Sequence, residues 1–161
     1  MHNNAVGGAT LGCGDNGIGS RDNCIPPQLE SGQWTHVIVS AGGNDFLESQ
    51  CGVDVNALLS PGLDQGLMAQ LIERIRDSGA LVVIVGYVSP LDPQGEAASC
   101  QPIKTLLTRY RDLAAARSGV RFVETRDVFG PSQRSLYADD VHTSIEGSRR
   151  LAEAIADDLI R

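Results

Sequence analysis

Three short runs rich in β-branched residues, each bounded by turn-forming residues, predict the buried strands of a parallel sheet. These runs span residues 35–40, 81–86 and 120–124. Apolar residues at helical spacing predict amphipathic helices over 63–77, 102–117 and the C-terminal segment after Glu146. Gly79 and Gly119 are placed to end the first two helices. Alternating strands and helices predict an α/β fold with right-handed crossovers.

The rest of the pattern limits the class of protein. Residues 3–23 are glycine-rich and lack apolar periodicity, which predicts a loop. The longest apolar run, 80–85, is too short to span a membrane. A chain of 161 residues suits one domain over 1–161, and its net charge of -7, with scattered Lys and Arg, argues against binding nucleic acid or anionic membranes.

Four cysteines, Cys13, Cys24, Cys51 and Cys100, have neither a C-x-x-C pair nor a histidine at metal-ligand spacing. We therefore expect no metal, and we expect no other cofactor. The even number suggests two disulfides and an oxidising compartment. Three pairings are open, of which Cys13 with Cys24 and Cys51 with Cys100 keeps each bridge local. Four free thiols in a cytosolic protein are the alternative.

The first chemical signal is Asp139-x-x-His142. A carboxylate beside an imidazole is what a general base needs, because it fixes the tautomer and stabilises the imidazolium. Thr143 and Glu146 have the spacing of a capping box, which would place His142 directly before the N-cap of the last helix. The alternative is that a loop aspartate and a helix-entry histidine are neighbours by chance.

The second signal, Gly42-Gly43-Asn44-Asp45, directly follows the first predicted strand. Two glycines allow a sharp turn, and the amide of Asn44 can then act as an oxyanion donor. Functional loops collect at the carboxyl ends of strands in open α/β sheets. We therefore expect this turn, the loop after the second strand and the Asp139 loop at one edge.

Together these motifs resemble the SGNH hydrolase superfamily, also called GDSL esterases and lipases. Its third block reads G-x-N-D and its fifth reads D-x-x-H, while residues 3–10 (Asn-Asn-Ala-Val-Gly-Gly-Ala-Thr) resemble its second block. The resemblance implies a three-layer α/β/α sandwich with a parallel, flavodoxin-like sheet. The cysteine positions also resemble those of secreted actinobacterial members, which implies a secreted or extracytoplasmic protein, although residues 1–4 have no features of a signal peptide.

The resemblance also implies roles for individual residues. His142 would be the general base and then the acid, Asp139 would orient it, and Asn44 and Gly8 would donate to the tetrahedral oxyanion. Asp140 is the second candidate for the orienting carboxylate. We expect Asp45 to accept backbone N–H bonds that hold the turn.

One family block is not found. The nucleophilic serine of G-D-S should lie on a strand before Asn3, and no nucleophile is identifiable in this chain. Gly14-Asp15-Asn16 has the composition of a turn, and none of the nearest serines, Ser20, Ser40 and Ser144, fits the family position. We therefore expect very low activity and an exposed sheet edge at 35–40. Our hypothesis is that an upstream segment with the export signal and this strand has been left off.

The favoured function is hydrolysis of a small-molecule, lipid or carbohydrate ester. A ligand-binding module without catalysis is one alternative. Others are an enzyme that uses a serine elsewhere in the chain, and one completed by a partner's strand at the exposed sheet edge. The loop 88–101 is expected to form a wall of the site. Leu47 and Leu91 would offer an apolar surface to an acyl chain, or simply pack onto neighbouring helices.

Overall fold

A computed structural model describes residues 2–13 and 23–160, without the side chains of residues 96 and 97. The sheet in this part of the chain has three strands in the order β1 (His36–Val39), β2 (Leu81–Val85) and β3 (Val120–Val123). Strand β1 runs parallel to β2, with His36 opposite Leu81 and Val39 opposite Ile84. The predicted α/β fold with a parallel sheet is therefore confirmed.

Six α-helices accompany these strands in the described residues. They are α1 (Gly43–Glu48), α2 (Val55–Leu58), α3 (Leu67–Asp77), α4 (Glu96–Ser99), α5 (Gln101–Ala116) and α6 (Ile145–Ile160). Two short 3₁₀ turns lie at Pro26–Gln28 and Arg134–Leu136. The sequence pattern predicted α3, α5 and α6 but missed the others, because helices of four to six residues are too short to show periodicity.

Helix α3 begins four residues later than predicted. Leu63 and Gly66 both adopt left-handed backbone angles, with φ of 64° and 104°, so the helix cannot extend through them. The predicted stops hold, since Gly79 and Gly119 have φ of 85° and 77° just after α3 and α5.

The chain divides into two compact units. The first comprises Met1–Ile84 and Gln101–Arg121, and the second comprises Val85–Cys100 and Phe122–Arg161. That residues 1–161 act as one domain stays a prediction.

The core of the first unit is built around β2, which has a neighbouring strand on each side. Val82, Val83 and Ile84 are fully buried, as expected for the continuous apolar run of a central parallel strand. Helices α3 and α5 contribute their apolar faces to the core, with fully buried side chains at Ile72, Ile75, Leu106, Tyr110 and Leu113. Strand β1 lies at an edge of the sheet, and Ile38 on it is 50% exposed.

The second unit has a small hydrophobic core of Phe129, Leu136 and Tyr137. The rings of Phe129 and Tyr137 meet edge to face, with centroids 5.3 Å apart. Leu91 packs against this cluster, so it lies against protein, whereas Leu47 is 44% exposed. Of these two leucines, Leu47, which lies in α1, thus offers the more open apolar surface.

Cys13 and Cys24 form a disulfide with a Cα–Cα distance of 5.2 Å. Cys51 and Cys100 each take part in a disulfide as well, so no cysteine of the described chain is free. The alternative of four free thiols is therefore wrong. None of the helices in residues 2–13 and 23–160 is both long and apolar enough to cross a membrane. Over the same residues, no group of three His, Cys, Asp or Glu side chains is arranged to hold a metal ion.

Candidate active site

Asp139 and His142 are joined by two hydrogen bonds in the loop before α6, and a third bond joins Asp139 to Val141. The Nδ1 atom of His142 lies 2.7 Å from Oδ2 of Asp139. The other carboxylate oxygen, Oδ1, accepts the backbone N–H groups of Val141 at 2.9 Å and His142 at 2.7 Å. One side chain therefore shapes the loop and orients the imidazole at the same time.

These bonds keep Asp139 ionised. The backbone N–H of His142, then that of Val141, then the imidazole, lower the pKa of Asp139 from 3.8 to about 2. An ionised carboxylate can only accept hydrogen bonds, so the bond requires a proton on Nδ1 and leaves Nε2 as the nitrogen that can act as a base. Both side chains are open to solvent, with 57% of Asp139 and 68% of His142 exposed.

The same loop is anchored to the loop after β2, which agrees with the expectation that these two loops lie at one edge, although the individual contacts were not predicted. The hydroxyl of Tyr137 donates to the carbonyl of Ser89 at 2.6 Å, and the N–H of Leu91 donates to the carbonyl of Asp140 at 2.8 Å. Asp140 thus contributes a backbone carbonyl, while the imidazole bonds to Asp139. The one clue in the sequence is chemical, since a tyrosine beside an apolar core needs a partner for its hydroxyl.

Helix α6 begins differently from the prediction. The hydroxyl of Ser144 accepts the N–H of Gly147 at 3.2 Å, which makes Ser144 the N-cap. The predicted capping box at Thr143 is wrong, because the Thr143 hydroxyl bonds to that of Ser148 and the Glu146 carboxylate bonds to Arg149. His142 therefore lies two residues before the N-cap.

The cap at Ser144 works because α6 lies against the preceding 3₁₀ turn. The N–H of Ser144 donates to the carbonyl of Leu136 at 2.8 Å, and its hydroxyl donates to the carbonyl of Ser135 at 2.9 Å. Gly147 is buried at this contact, where a Cβ atom would lie 3.3 Å from the Phe129 ring and closer still to the Leu136 carbonyl oxygen. A residue without a side chain is thus required at 147.

The predicted oxyanion donors lie in the first unit. Asn44 is in the first turn of α1, and its Nδ2 donates to the carbonyl of Ala9 at 2.9 Å. One of its two amide protons is used in this way, which leaves the second for a ligand. Gly8, next to Ala9, has a φ of 76° within a turn closed by a bond from the N–H of Ala9 to the carbonyl of Val6.

Gly42 shows why the turn before Asn44 needs glycine. Its φ is 97°, and a Cβ there would lie 2.5 Å from Cδ2 of Leu106 and 3.2 Å from the hydroxyl of Tyr110. The close approach of α5 therefore fixes the position at which α1 begins.

Asp45 accepts backbone N–H bonds as expected, but from a segment far from its own turn. Its two carboxylate oxygens accept the N–H of Leu11 at 3.0 and 3.1 Å, and Oδ1 accepts that of Gly12 at 3.4 Å. The residue is fully buried. Burial raises its pKa, and the bonds from Leu11 and Gly12 oppose that shift.

Of the candidate serines that lie in the described residues, none occupies the position of a nucleophile. Ser40 is exposed just after β1, and the Ser144 hydroxyl is engaged as a cap. Ser20 and the Gly14-Asp15-Asn16 turn lie outside the described residues. Asp139 and His142 are brought together in the second unit, and Asn44 is brought to Ala9, beside Gly8, in the first. Their catalytic roles stay predictions.

Comparisons with known proteins agree with the α/β fold and with the family resemblance. The sequence profile of the GDSL-like Lipase/Acylhydrolase family matches residues 1–150. The fold and the family profile together place the chain in the class of GDSL-type hydrolases. The chain belongs to the GDSL-like lipase/acylhydrolase family, also known as SGNH hydrolases.

One solved structure, provisionally described as a platelet activating factor from Streptococcus pneumonia, is similar with a TM-score of 0.62 and 22% sequence identity. The match covers 82% of this chain and 63% of that chain, so this chain spans less than two thirds of its length. This likeness supports the fold. A comparison with curated proteins found no significant match.

Proposed function

We propose that the chain carries the acid–base and oxyanion groups of an ester hydrolase that works by serine acyl transfer. The observation that carries this proposal is the 2.7 Å contact between Nδ1 of His142 and the Asp139 carboxylate. An imidazole held in this way, with Nε2 left to take a proton, is the general base of such reactions.

In the proposed reaction, Nε2 of His142 takes the proton of a serine hydroxyl as the serine oxygen attacks the ester carbonyl carbon. Asp139 stabilises the imidazolium that forms. The Gly8 N–H and the second Nδ2 proton of Asn44 donate to the oxyanion. His142 then gives its proton to the leaving alkoxide as the ester bond breaks. In the second half of the reaction, water gives a proton to Nε2 of His142 and attacks the acyl carbonyl carbon. His142 returns this proton to the serine oxygen as the bond between serine and the acyl group breaks. The serine is not assigned to a residue of this chain.

We further propose a small-molecule, lipid or carbohydrate ester as the substrate, and a location outside the cytoplasm. The Cys13–Cys24 bridge and the absence of a free cysteine in the described residues support an oxidising compartment. Leu47 supports an apolar acyl group, because it is exposed in α1 three residues after Asn44.

A second candidate is an enzyme completed by a strand from another segment, which supplies the serine. The position of β1 at an edge of the sheet, among the described residues, favours it. The carbonyl of Thr35 accepts the N–H of Leu81 at 3.0 Å, and backbone groups of alternate residues face the same side in a parallel pair. Val37 therefore faces β2, whereas the backbone groups of His36 and Ile38 face away from it, where an added strand would bond.

The test is hydrolysis of p-nitrophenyl acetate by the wild type, by His142→Ala and by Asp139→Asn. Asp140→Asn is the matched control, because it removes a neighbouring exposed carboxylate that does not bond to the imidazole. We expect slow hydrolysis that falls at least tenfold in the first two variants and is unchanged in the control. A rate that does not depend on His142 would contradict the proposal.

Labelling with a fluorophosphonate probe, followed by mass spectrometry, locates the nucleophile. We expect no labelling of the chain alone, and labelling of an added peptide that carries a G-D-S strand if the second candidate holds. A labelled serine in this chain would show that the enzyme is self-sufficient. No labelling in either case, together with tight binding of an ester, would favour a binding module without catalysis.

A further inference from the structure

Asp45 is a buried carboxylate that the proposed reaction does not use. Its side chain is completely inaccessible to solvent. Burying an ionised carboxylate is costly unless its oxygens are hydrogen-bonded, and here Leu11 and Gly12 supply the donors. Because burial of this carboxylate is unfavourable and the residue lies next to Asn44 in the first turn of α1, its function needs an explanation.

Asn44 and Asp45 hold the same segment of chain, residues 9–12. Asn44 donates to the carbonyl of Ala9, while Asp45 accepts the N–H groups of Leu11 and Gly12. Two adjacent side chains therefore grip one short segment through opposite kinds of hydrogen bond. Such a pair fixes both the distance and the orientation of the segment relative to α1.

Residues 23–25 hold this segment at a further position. The N–H of Thr10 donates to the carbonyl of Asn23, and the carbonyl of Thr10 accepts the N–H of Ile25 at 2.9 Å. The Cys13–Cys24 disulfide ties the next residue of the segment to the same place. Because residues 23–25 hold this segment in place, the bonds of Asp45 determine the position of α1 relative to residues 9–12.

We propose that Asp45 is a positioning residue that fixes residues 9–12 against α1 and so aligns the Gly8 N–H with the free amide proton of Asn44. The catalytic meaning of this alignment rests on the proposed function, but the alignment itself does not. Asp45 acts on the oxyanion donors in two ways. It fixes the position of Ala9, the neighbour of Gly8, relative to α1. It also keeps the side chain of Asn44 turned toward the Ala9 carbonyl.

The test uses Asp45→Asn, which keeps the size of the side chain but replaces an acceptor oxygen with an NH₂ group that faces backbone N–H donors. The matched control is Asp54→Asn, since the exposed Asp54 also accepts one backbone N–H, that of Asn56 at 2.9 Å, within its own helix. Both variants and the wild type are studied by NMR with hydrogen exchange, and their hydrolysis of p-nitrophenyl acetate is measured.

We expect Asp45→Asn to speed exchange of the Leu11 and Gly12 amides at least tenfold relative to the amides of β2, and to shift the Gly8 amide and the Asn44 carboxamide signals. The control should change none of these. The kcat for p-nitrophenyl acetate should fall at least tenfold with KM nearly constant, because the alignment serves the transition state.

Two results would overturn the proposal. One is exchange at Leu11 and Gly12 that is no faster than in the control, or Gly8 and Asn44 signals that do not move. The other is faster exchange with an unchanged kcat, which would make Asp45 a structural residue only. If the wild type shows no hydrolysis that depends on His142, the proposed function fails. The NMR signals alone then decide whether Asp45 positions residues 9–12 against α1. If Asp45→Asn does not fold, rapid exchange of the Leu11 and Gly12 amides in the wild type would show that Asp45 does not fix residues 9–12, and would refute the proposal.

Discussion

Replacing Gly147 by alanine sets two physical effects against each other. In an exposed helix, alanine is more favourable than glycine by about 1 kcal/mol. At this position, however, the new Cβ would lie 3.1 Å from the carbonyl carbon of Leu136 and nearer than 3.0 Å to its oxygen, a distance that real Cβ atoms essentially never show. A backbone carbonyl cannot rotate away as a side chain can, so the first turn of α6 must move.

The magnitude follows from what that movement disturbs. Overpacking of this kind costs about 1–3 kcal/mol. The movement also strains the bond from the Ser144 N–H to the same Leu136 carbonyl, 2.8 Å long, which is worth about 1 kcal/mol. After the gain in helix propensity, we expect the free energy of unfolding of Gly147→Ala to fall by about 1–3 kcal/mol.

Urea denaturation of the disulfide-bonded protein, followed by circular dichroism, measures this difference. A loss of this size lowers the midpoint by about 0.5–1.5 M. Gly130→Ala is the matched control in the same unit, because a Cβ at Gly130 meets no atom within 4 Å. The control should be neutral or slightly more stable. A midpoint of Gly147→Ala at or above that of the wild type would refute the packing argument.

Two other predictions concern the loop of His142. Because the folded pKa of Asp139 is about 2, below its ordinary value of 3.8, its ionised carboxylate stabilises the fold above about pH 4, and this contribution is lost as the pH falls toward 2. Denaturation midpoints of wild type and Asp139→Asn measured from pH 2 to pH 6 should therefore converge at the acid end, and parallel curves would contradict this. Tyr137→Phe should lower the free energy of unfolding by about 1 kcal/mol, since it leaves the Ser89 carbonyl without its donor. Thermal denaturation that shows no loss would mean that water replaces the hydroxyl.

The sequence predicted what depends on local chemistry. The run 81–86 identified β2 because a central parallel strand must be apolar on both faces. The spacing of Asp139 and His142 similarly predicted a bond that spans only three residues. The ends of α3 and α5 at Gly79 and Gly119 also depend on local chemistry, since a left-handed backbone conformation favours glycine whatever surrounds it.

The features that the sequence did not reveal depend on distant partners. Thr143 and Ser144 are both acceptable N-caps, and the Leu136 carbonyl, which receives the N–H of Ser144, decides between them. The partners of Asp45 lie 33 and 34 positions away, which no local pattern can indicate. The nearness of Leu136 that forces glycine at 147 likewise arises only when α6 packs against the turn before it.

The bonds of Asp139 come from residues 141 and 142 alone, and this locality has a consequence for what holds the pair together. A heptapeptide hairpin, from Tyr137 to Thr143, contains the carboxylate, the imidazole and every donor that aligns them. All the bonds that orient the imidazole thus lie within seven residues of chain. The internal geometry of the Asp139–His142 pair therefore depends on this hairpin, and the rest of the chain determines where the pair is placed.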